Sequence, residues 1–344
     1  MAMHRRSRFF VVALALVAAA SGLLFAQTQT PSWPREPENA AAPKPPAPTK
    51  SVLALVGEYE SAPGAAGPGL PAAAAQPPVH LYVIEQGGTL WMIADRGEAK
   101  PFAGQARGTS LVINGVTYLR LQVGPEGGGQ LHVAPIRNVA EVLTESMSVA
   151  PPKEAGEFKP ADLVELASLD RTLTLDIRYA TTNNFLGSVF YAQARAFLQR
   201  PAADAVLRVQ KALQPLGYGL LLHDGYRPWY VTRTFWECTP PEKKWLVANP
   251  ANGSKHNRGA AIDLTLYDLK SGAVIEMPST YDESTPRAYA FYPGGTSLQR
   301  WHRALLRRLM EAEGFAVNPE EWWHFDFKDW RSYAIGNTPF EQIR

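Results

Sequence analysis

His256 and Asp263 stand seven positions apart in GSKHNRGAAIDLTLYD, one in a glycine-containing turn and the other in an apolar run. Imidazole and carboxylate brought together in this way are donors for a hydrolytic zinc ion, which takes three protein ligands and keeps a fourth position for water. The single cysteine, Cys238, leaves no thiolate-rich alternative and no internal disulfide. A third ligand must therefore come from another segment, with an acid beside it to take the water's proton. EEWWHFDF offers both, in Glu321 and His324. Residues three apart in an extended strand face opposite sides, so Glu321 has to lie at or before the strand's entry, where the chain can bend it back. A fourth segment, HDGYRP, sets Arg227 just past a buried strand, where a guanidinium can donate to the oxyanion of a tetrahedral intermediate. Taken singly, each has an ordinary structural reading: a strand-end aspartate, a salt bridge, core aromatics beside a capped histidine.

The elements that would position these residues are legible around them. PAADAVLRVQKALQPLGYG predicts a helix that starts at Pro201 and turns Val206, Val209, Leu213 and Leu216 to one face. YGLLLHD and AAIDLTLYD read as buried strands. SLQRWHRALLRRLMEAEGF reads as an amphipathic helix with Ser297 as N-cap and Gly314 at its stop. EWWHFDF closes as a strand. Residues 161–344 are thus expected to form an α+β domain, an antiparallel sheet with flanking helices.

With 344 residues the chain has room for a second domain. Its 34 basic residues against 32 acidic give no argument for a nucleic-acid partner. His4, Arg5, Arg6 and Arg8 precede FFVVALALVAAASGLLFA, which reads as an export signal over residues 1–26. The alternative is an uncleaved membrane anchor, since Phe9 to Ala26 just reaches spanning length. Either way the remainder is expected outside the cytoplasm, in the periplasm or cell envelope. Residues 27–50 carry seven prolines and read as an extended spacer. Residues 51–149 alternate in short strands: SVLALVGEYE, a hairpin around Gln86-Gly87-Gly88, and another at Asn114-Gly115. They predict a small all-β barrel or sandwich in which His80 and His132 are surface or strand residues. Residues 150–160 form a second linker.

In order along the chain, LDIRYATTNNFLG, GYGLLLHDGYRP, SKHNRGAAIDLTLYD and EWWHF closely resemble the zinc D-alanyl-D-alanine dipeptidases, the family that includes the vancomycin-resistance dipeptidases. The kernel of Ser254, His256, Gly259, Ala261 and Asp263 belongs to a wider group of zinc peptidases, and the RYAT-x-x-NF and DGYRP segments narrow it. The resemblance runs from about Leu169 to about Phe327 and leaves the β-rich stretch outside.

The resemblance implies one Zn2+ per chain, held by His256, Asp263 and His324, with Glu321 as general base and acid and Arg227 steadying the transition state. It places Asp282, in MPSTYDE, against the ammonium group of a D-Ala-D-Ala substrate, and Tyr179 and Ser254 as further substrate contacts. Asn257 and Ala260 depart from the family pattern, which bears on pocket detail and not on chemistry. An exported enzyme of this kind would meet wall-derived dipeptide, which suggests recycling. Two other readings stay open from the sequence: a zinc D,D-carboxypeptidase or endopeptidase acting on peptidoglycan stem peptides, and a non-catalytic cell-wall-binding module, which would have no need of Glu321.

Overall fold

Alternating strands punctuated by glycine turns make up the described part of residues 57–120. The computed structural model describes residues 43–62, 78–94, 97–122 and 131–343. The export segment, most of the proline-rich spacer and most of the loop over residues 61–78 lie outside the described residues. A four-residue helix α1 (Lys50–Leu53) is followed by β1 (Gly57–Ser61), β2 (His80–Gln86), β3 (Thr89–Ala94), β4 (Lys100–Pro101), β5 (Gln105–Arg107), β6 (Ser110–Ile113) and β7 (Val116–Arg120). The strand expected over SVLALVGEYE therefore begins only at Gly57, because the Thr49 hydroxyl accepts the Val52 amide and starts a helical turn instead. At the β6–β7 turn Asn114 and Gly115 have φ of 51° and 81°, the paired positive values of a tight hairpin.

These strands pair in the order β4-β3-β2-β1-β7-β6-β5, a single antiparallel half-barrel. Its edge strands β4 and β5 do not pair with each other, so the described residues form neither a closed barrel nor a two-sheet sandwich. Tyr59, Leu81, Val83, Leu111 and Ile113 form one apolar cluster, and Tyr82, Ile84 and Ile93 another. The alternation along β2 explains both, since successive side chains leave opposite faces.

The second half continues with α2 (Val139–Met147), β8 (Leu163–Glu165), α3 (Leu166–Leu169), β9 (Thr174–Leu175), β10 (Phe197–Gln199), α4 (Arg200–Leu213) and β11 (Tyr218–Asp224). It ends with α5 (Trp229–Cys238), β12 (Ala261–Asp268), α6 (Ser297–Ala312), β13 (Phe315–Asn318) and β14 (Glu321–Phe327). A five-stranded sheet runs β13-β14-β12-β11-β9. It is antiparallel except at its edge, where β9 joins β11 in parallel. Every residue of β11 is buried, as its near-continuous apolar run requires.

Val206, Val209 and Leu213 of α4 and Leu305, Leu306 and Met310 of α6 are buried in the same core as Leu220, Leu222, Ile262 and Leu264. Each such side chain contributes about 1.5–3 kcal/mol, which is what fixes the register of the central strands. Leu216 does not join that face and is 50 % exposed, because residues 214–216 tighten into a 3-10 turn before Gly217, at φ 85°, redirects the chain. The N-cap of α6 is Thr296 and not Ser297. Thr296 and Gln299 form a reciprocal capping box, and Ser297 is the first helical residue. Val139 and Val142 of α2 also belong to this core, although they lie within the 51–149 stretch.

Candidate active site

Neighbouring strands bring the chemistry together. Asp263 on β12 pairs directly with His324 on β14, and Asp224 on β11 pairs with Asp263. Directly opposed residues of an antiparallel pair share a face, so the three side chains form a row across the sheet. His256 enters from the 3-10 turn His256–Arg258 just before β12. That turn needs Gly259, which has φ 64° and where a Cβ would come within 2.5 Å of Leu163 Cδ2.

One donor atom from each of His256, Asp263 and His324 lies within 4.8 Å of the others. Nδ1 of His256 is 2.7 Å from the Gly225 carbonyl, which leaves Nε2 facing Nδ1 of His324 at 3.1 Å. That Nδ1 is 2.9 Å from Asp263 Oδ1, while Nε2 of His324 is 2.9 Å from Asp326 Oδ1. Each ring thus commits one nitrogen outwards and turns the other into the triangle. Burial opposes a charge on His324, but the hydrogen bonds of Asp263 and Asp326 outweigh it and lift its pKa to about 10. Burial also works against the Asp263 carboxylate, yet the two histidines hold it well below the usual carboxylate range. The triangle therefore favours positive charge at its centre, and two imidazole nitrogens with one carboxylate oxygen fit a zinc ion with an open position.

Glu321 is the first residue of β14, where the ladder with β13 shifts register between Val317 and Asn318. The shift supplies the bend that an extended strand would deny. Oε2 of Glu321 lies 3.9 Å from His324 Nδ1 and accepts from Asn318 Nδ2 at 2.9 Å. About two-fifths of the side chain is open to solvent (41 %), but the protein packed around the carboxyl, and then the charge of Asp263, still raise its pKa, while His324 pulls the other way.

Arg227 donates through Nε and Nη2 to Asp224 Oδ2 at 2.9 and 2.7 Å. Its guanidinium carbon sits 5.1 Å from the centre of the Tyr179 ring. Asp282 has φ 59°, rare for a residue with a side chain, and accepts from the Tyr179 hydroxyl at 3.4 Å. Burial first, then Asp263 and Glu321, push the Asp282 carboxyl up to about 8. Tyr179 and Asp282 thus meet. Ser254 lies two residues before His256, where its hydroxyl accepts the His256 amide at 3.2 Å.

Three neighbours of these residues, Asp224, Asp326 and Tyr281, were not singled out from sequence, and a fourth, Asn257, was noted only as a departure from the family pattern. Asp224 binds Arg227 and accepts the Tyr191 hydroxyl at 2.9 Å. Asp326 holds His324 and takes a hydrogen bond from Lys255. Tyr281 donates to Asp263 Oδ2 at 3.0 Å. Asn257 accepts the Ser254 amide at 2.6 Å and donates to Arg227 O at 2.7 Å and Thr232 Oγ1 at 2.9 Å, tying the arginine loop to the histidine loop. Only Asp326 carried a usable signal, as it lies two residues from His324 on one strand and hence on one face.

Residues 159–334 match the family profile Peptidase_M15, described as D-ala-D-ala dipeptidase. The D-alanyl-D-alanine dipeptidase of Escherichia coli (strain K12) is 33 % identical over 174 residues, 51 % of this chain and 89 % of that protein. The D-alanyl-D-alanine dipeptidase of Enterococcus faecalis (strain ATCC 700802 / V583) is 34 % identical over 172 residues, 45 % of this chain and 85 % of its own length. The protein of the same description from Streptomyces coelicolor is 32 % identical over 172 residues, with the same shares of 45 % and 85 %. The half-barrel lies outside the residues matched by the family profile.

Proposed function

The chain belongs to the Peptidase_M15 family of D-Ala-D-Ala dipeptidases and is a metallopeptidase by that membership, and we propose that it hydrolyses free D-alanyl-D-alanine at the His256–Asp263–His324 centre. The observation that carries the assignment of residues is the convergence of these three donors within 4.8 Å beside the carboxylate of Glu321.

A zinc ion held by His256 Nε2, His324 Nδ1 and the Asp263 carboxylate would supply Lewis acidity and a water of lowered pKa. Glu321 takes a proton from the attacking water on its carboxylate and returns it to the leaving amine. Its raised pKa suits the return, because the protonated form persists closer to neutrality. Arg227 spends Nε and Nη2 on Asp224 and leaves Nη1 without a hydrogen bond among the described residues, available for the oxygen that becomes negative. Asp282 pairs with the substrate's free ammonium, which brings the positive charge that its crowded carboxylate lacks. Tyr179 steadies that carboxylate through its hydroxyl. Ser254 keeps His256 in place and lines the approach for the dipeptide backbone.

The substrate preference tests this reading. The zinc-loaded protein is expected to cleave free D-Ala-D-Ala and nearly ignore N-acetyl-D-Ala-D-Ala and a stem pentapeptide. Equal rates on the blocked or longer peptides would replace it with a D,D-carboxypeptidase. Metal analysis is expected to give one zinc per chain. The basic and apolar residues of segment 1–26 support export and a role in recycling wall-derived dipeptide. Cell fractionation with activity confined to the cytoplasm would overturn that part.

A further inference from the structure

The chain between β12 and α6 carries Asp282 and ends against the half-barrel. Within it, Arg287 donates through Nε and Nη2 to the Pro278 carbonyl at 3.0 and 2.7 Å and faces Glu283 at 3.5 Å. Glu283, 2 % exposed, accepts the Thr280 amide at 3.2 Å and the Thr285 hydroxyl at 2.5 Å. These bonds close residues 278–287 into one unit around Asp282. The positive φ of 59° at Asp282 is sparsely populated for a residue with a side chain and persists only where the surroundings over-determine it.

The far end of the segment is fastened to the half-barrel. The Tyr292 hydroxyl donates to Glu58 Oε1 on β1 at 2.7 Å, and its ring meets Tyr82 of β2 edge-on at 5.8 Å. Tyr292 shares an apolar cluster with Tyr82, Ile84 and Ile93. Glu85 of β2 donates its amide to the Gly295 carbonyl at 3.2 Å and accepts the Ser297 amide on Oε2 at 2.7 Å. Arg300 Nη2 donates to the Glu85 carbonyl at 2.8 Å. Between the two ends, the Ala290 amide donates to the Pro319 carbonyl at 3.0 Å, two residues before Glu321.

We propose that the half-barrel is a positioning part of the active site: by fastening Tyr292 and residues 295–297 it fixes Asp282 in place and so sets the affinity for the free ammonium of the substrate. Among the described residues the half-barrel acts by fastening this segment, not by supplying a group that touches the substrate. It limits the conformations open to a strained segment, and releasing one end lets that segment relax and withdraw the carboxylate. The inference rests on Asp282 being the partner of the ammonium.

The test uses the zinc-loaded full chain with Tyr292→Phe, which removes the hydroxyl bound to Glu58, Glu85→Met, which removes the acceptor of the Ser297 amide, and the double variant. Each change keeps the side-chain volume close to the original, and circular dichroism checks that the fold is retained. KM for free D-Ala-D-Ala is expected to rise about 3- to 10-fold, with kcat within about twofold, because the ammonium contact is made equally in ground and transition states. The slow rate on the N-acetyl dipeptide should not change, so the preference narrows. Backbone amides of residues 278–290 should exchange hydrogen faster, while those of β11 and β12 keep their protection. A double variant with wild-type KM and wild-type exchange over residues 278–290 would overturn the proposal. So would a fall in kcat at constant KM, the mark of lost folded enzyme. If the wild-type protein cleaves the N-acetyl dipeptide as well as the free one, the reading of Asp282 fails, and the affinity role proposed for the half-barrel fails with it. Hydrogen exchange then reports whether the fastening itself exists.

Discussion

Nε2 of His324 lies 2.9 Å from Oδ1 of Asp326, two residues further along β14. Residues two apart on a strand share a face, so this contact is built into the local geometry. It fixes which ring nitrogen faces Asp263, and Lys255 in turn holds Asp326. Asp326→Ala is therefore expected to weaken metal binding about 10- to 100-fold with the three proposed ligands intact. Competition against a chelator of known affinity measures this, and wild-type affinity would show that His324 is oriented by something else.

The ligands and the proton carrier should separate cleanly. His256→Ala or His324→Ala should lose tightly bound metal and activity together, while the half-barrel stays folded. Glu321→Ala should keep the metal and slow turnover by about 10²–10⁴-fold. Metal content after gel filtration distinguishes the two classes. Loss of metal from the Glu321 variant would make it a ligand.

Asp282 carries a pH signature in the metal-free protein. Its carboxyl is pushed up to about 8 from an ordinary value of 3.8, so the folded chain keeps a proton that the unfolded chain has released. That stabilisation is present below the unfolded value and is lost as pH rises through about 8. Asp282→Asn, which cannot ionise, should therefore melt above wild type by about 2 °C or more at pH 8. The gap should close towards pH 4. Parallel melting curves for the two proteins from pH 4 to 8 would remove this account.

Asn257 is fully buried and serves three backbone or hydroxyl partners. Asn257→Ala should destabilise the protein by about 1–3 kcal/mol, since the part-buried Ser254 amide and the buried Arg227 carbonyl lose their partner. Denaturant unfolding measures the loss. Activity should fall as well, because the change cuts the link between the arginine and histidine loops. Stability and activity both at the wild-type level would show that the two loops hold their positions independently.

The half-barrel's hairpins and the amphipathic helices of the C-terminal region were legible because each depends on local chemistry: a positive-φ Asn114-Gly115 turn, a proline at a helix start, an apolar run at β11. Errors fell where two local solutions compete. Thr296 and Ser297 are both good caps, and only the capping partner Gln299 and the pull of Glu85 on the Ser297 amide decide between them. Leu216 fits a helical period, yet the chain tightens there into a 3-10 turn.

By itself the sequence determined the residue types that converge: two histidines, an aspartate, a glutamate and an arginine in HDGYRP, SKHNRGAAID and EWWHF. Those are chemical identities, and spacing along the chain suffices to nominate them. Only the tertiary structure decided which atoms face one another. The register of β12 on β14 sets Asp263 against His324, and the shift beside Asn318 turns Glu321 to the same side. The fastening of Tyr292 to Glu58 crosses more than two hundred residues of chain. Such contacts follow from how separate elements bury their apolar faces together, and that sum over the whole core is not written in any single segment.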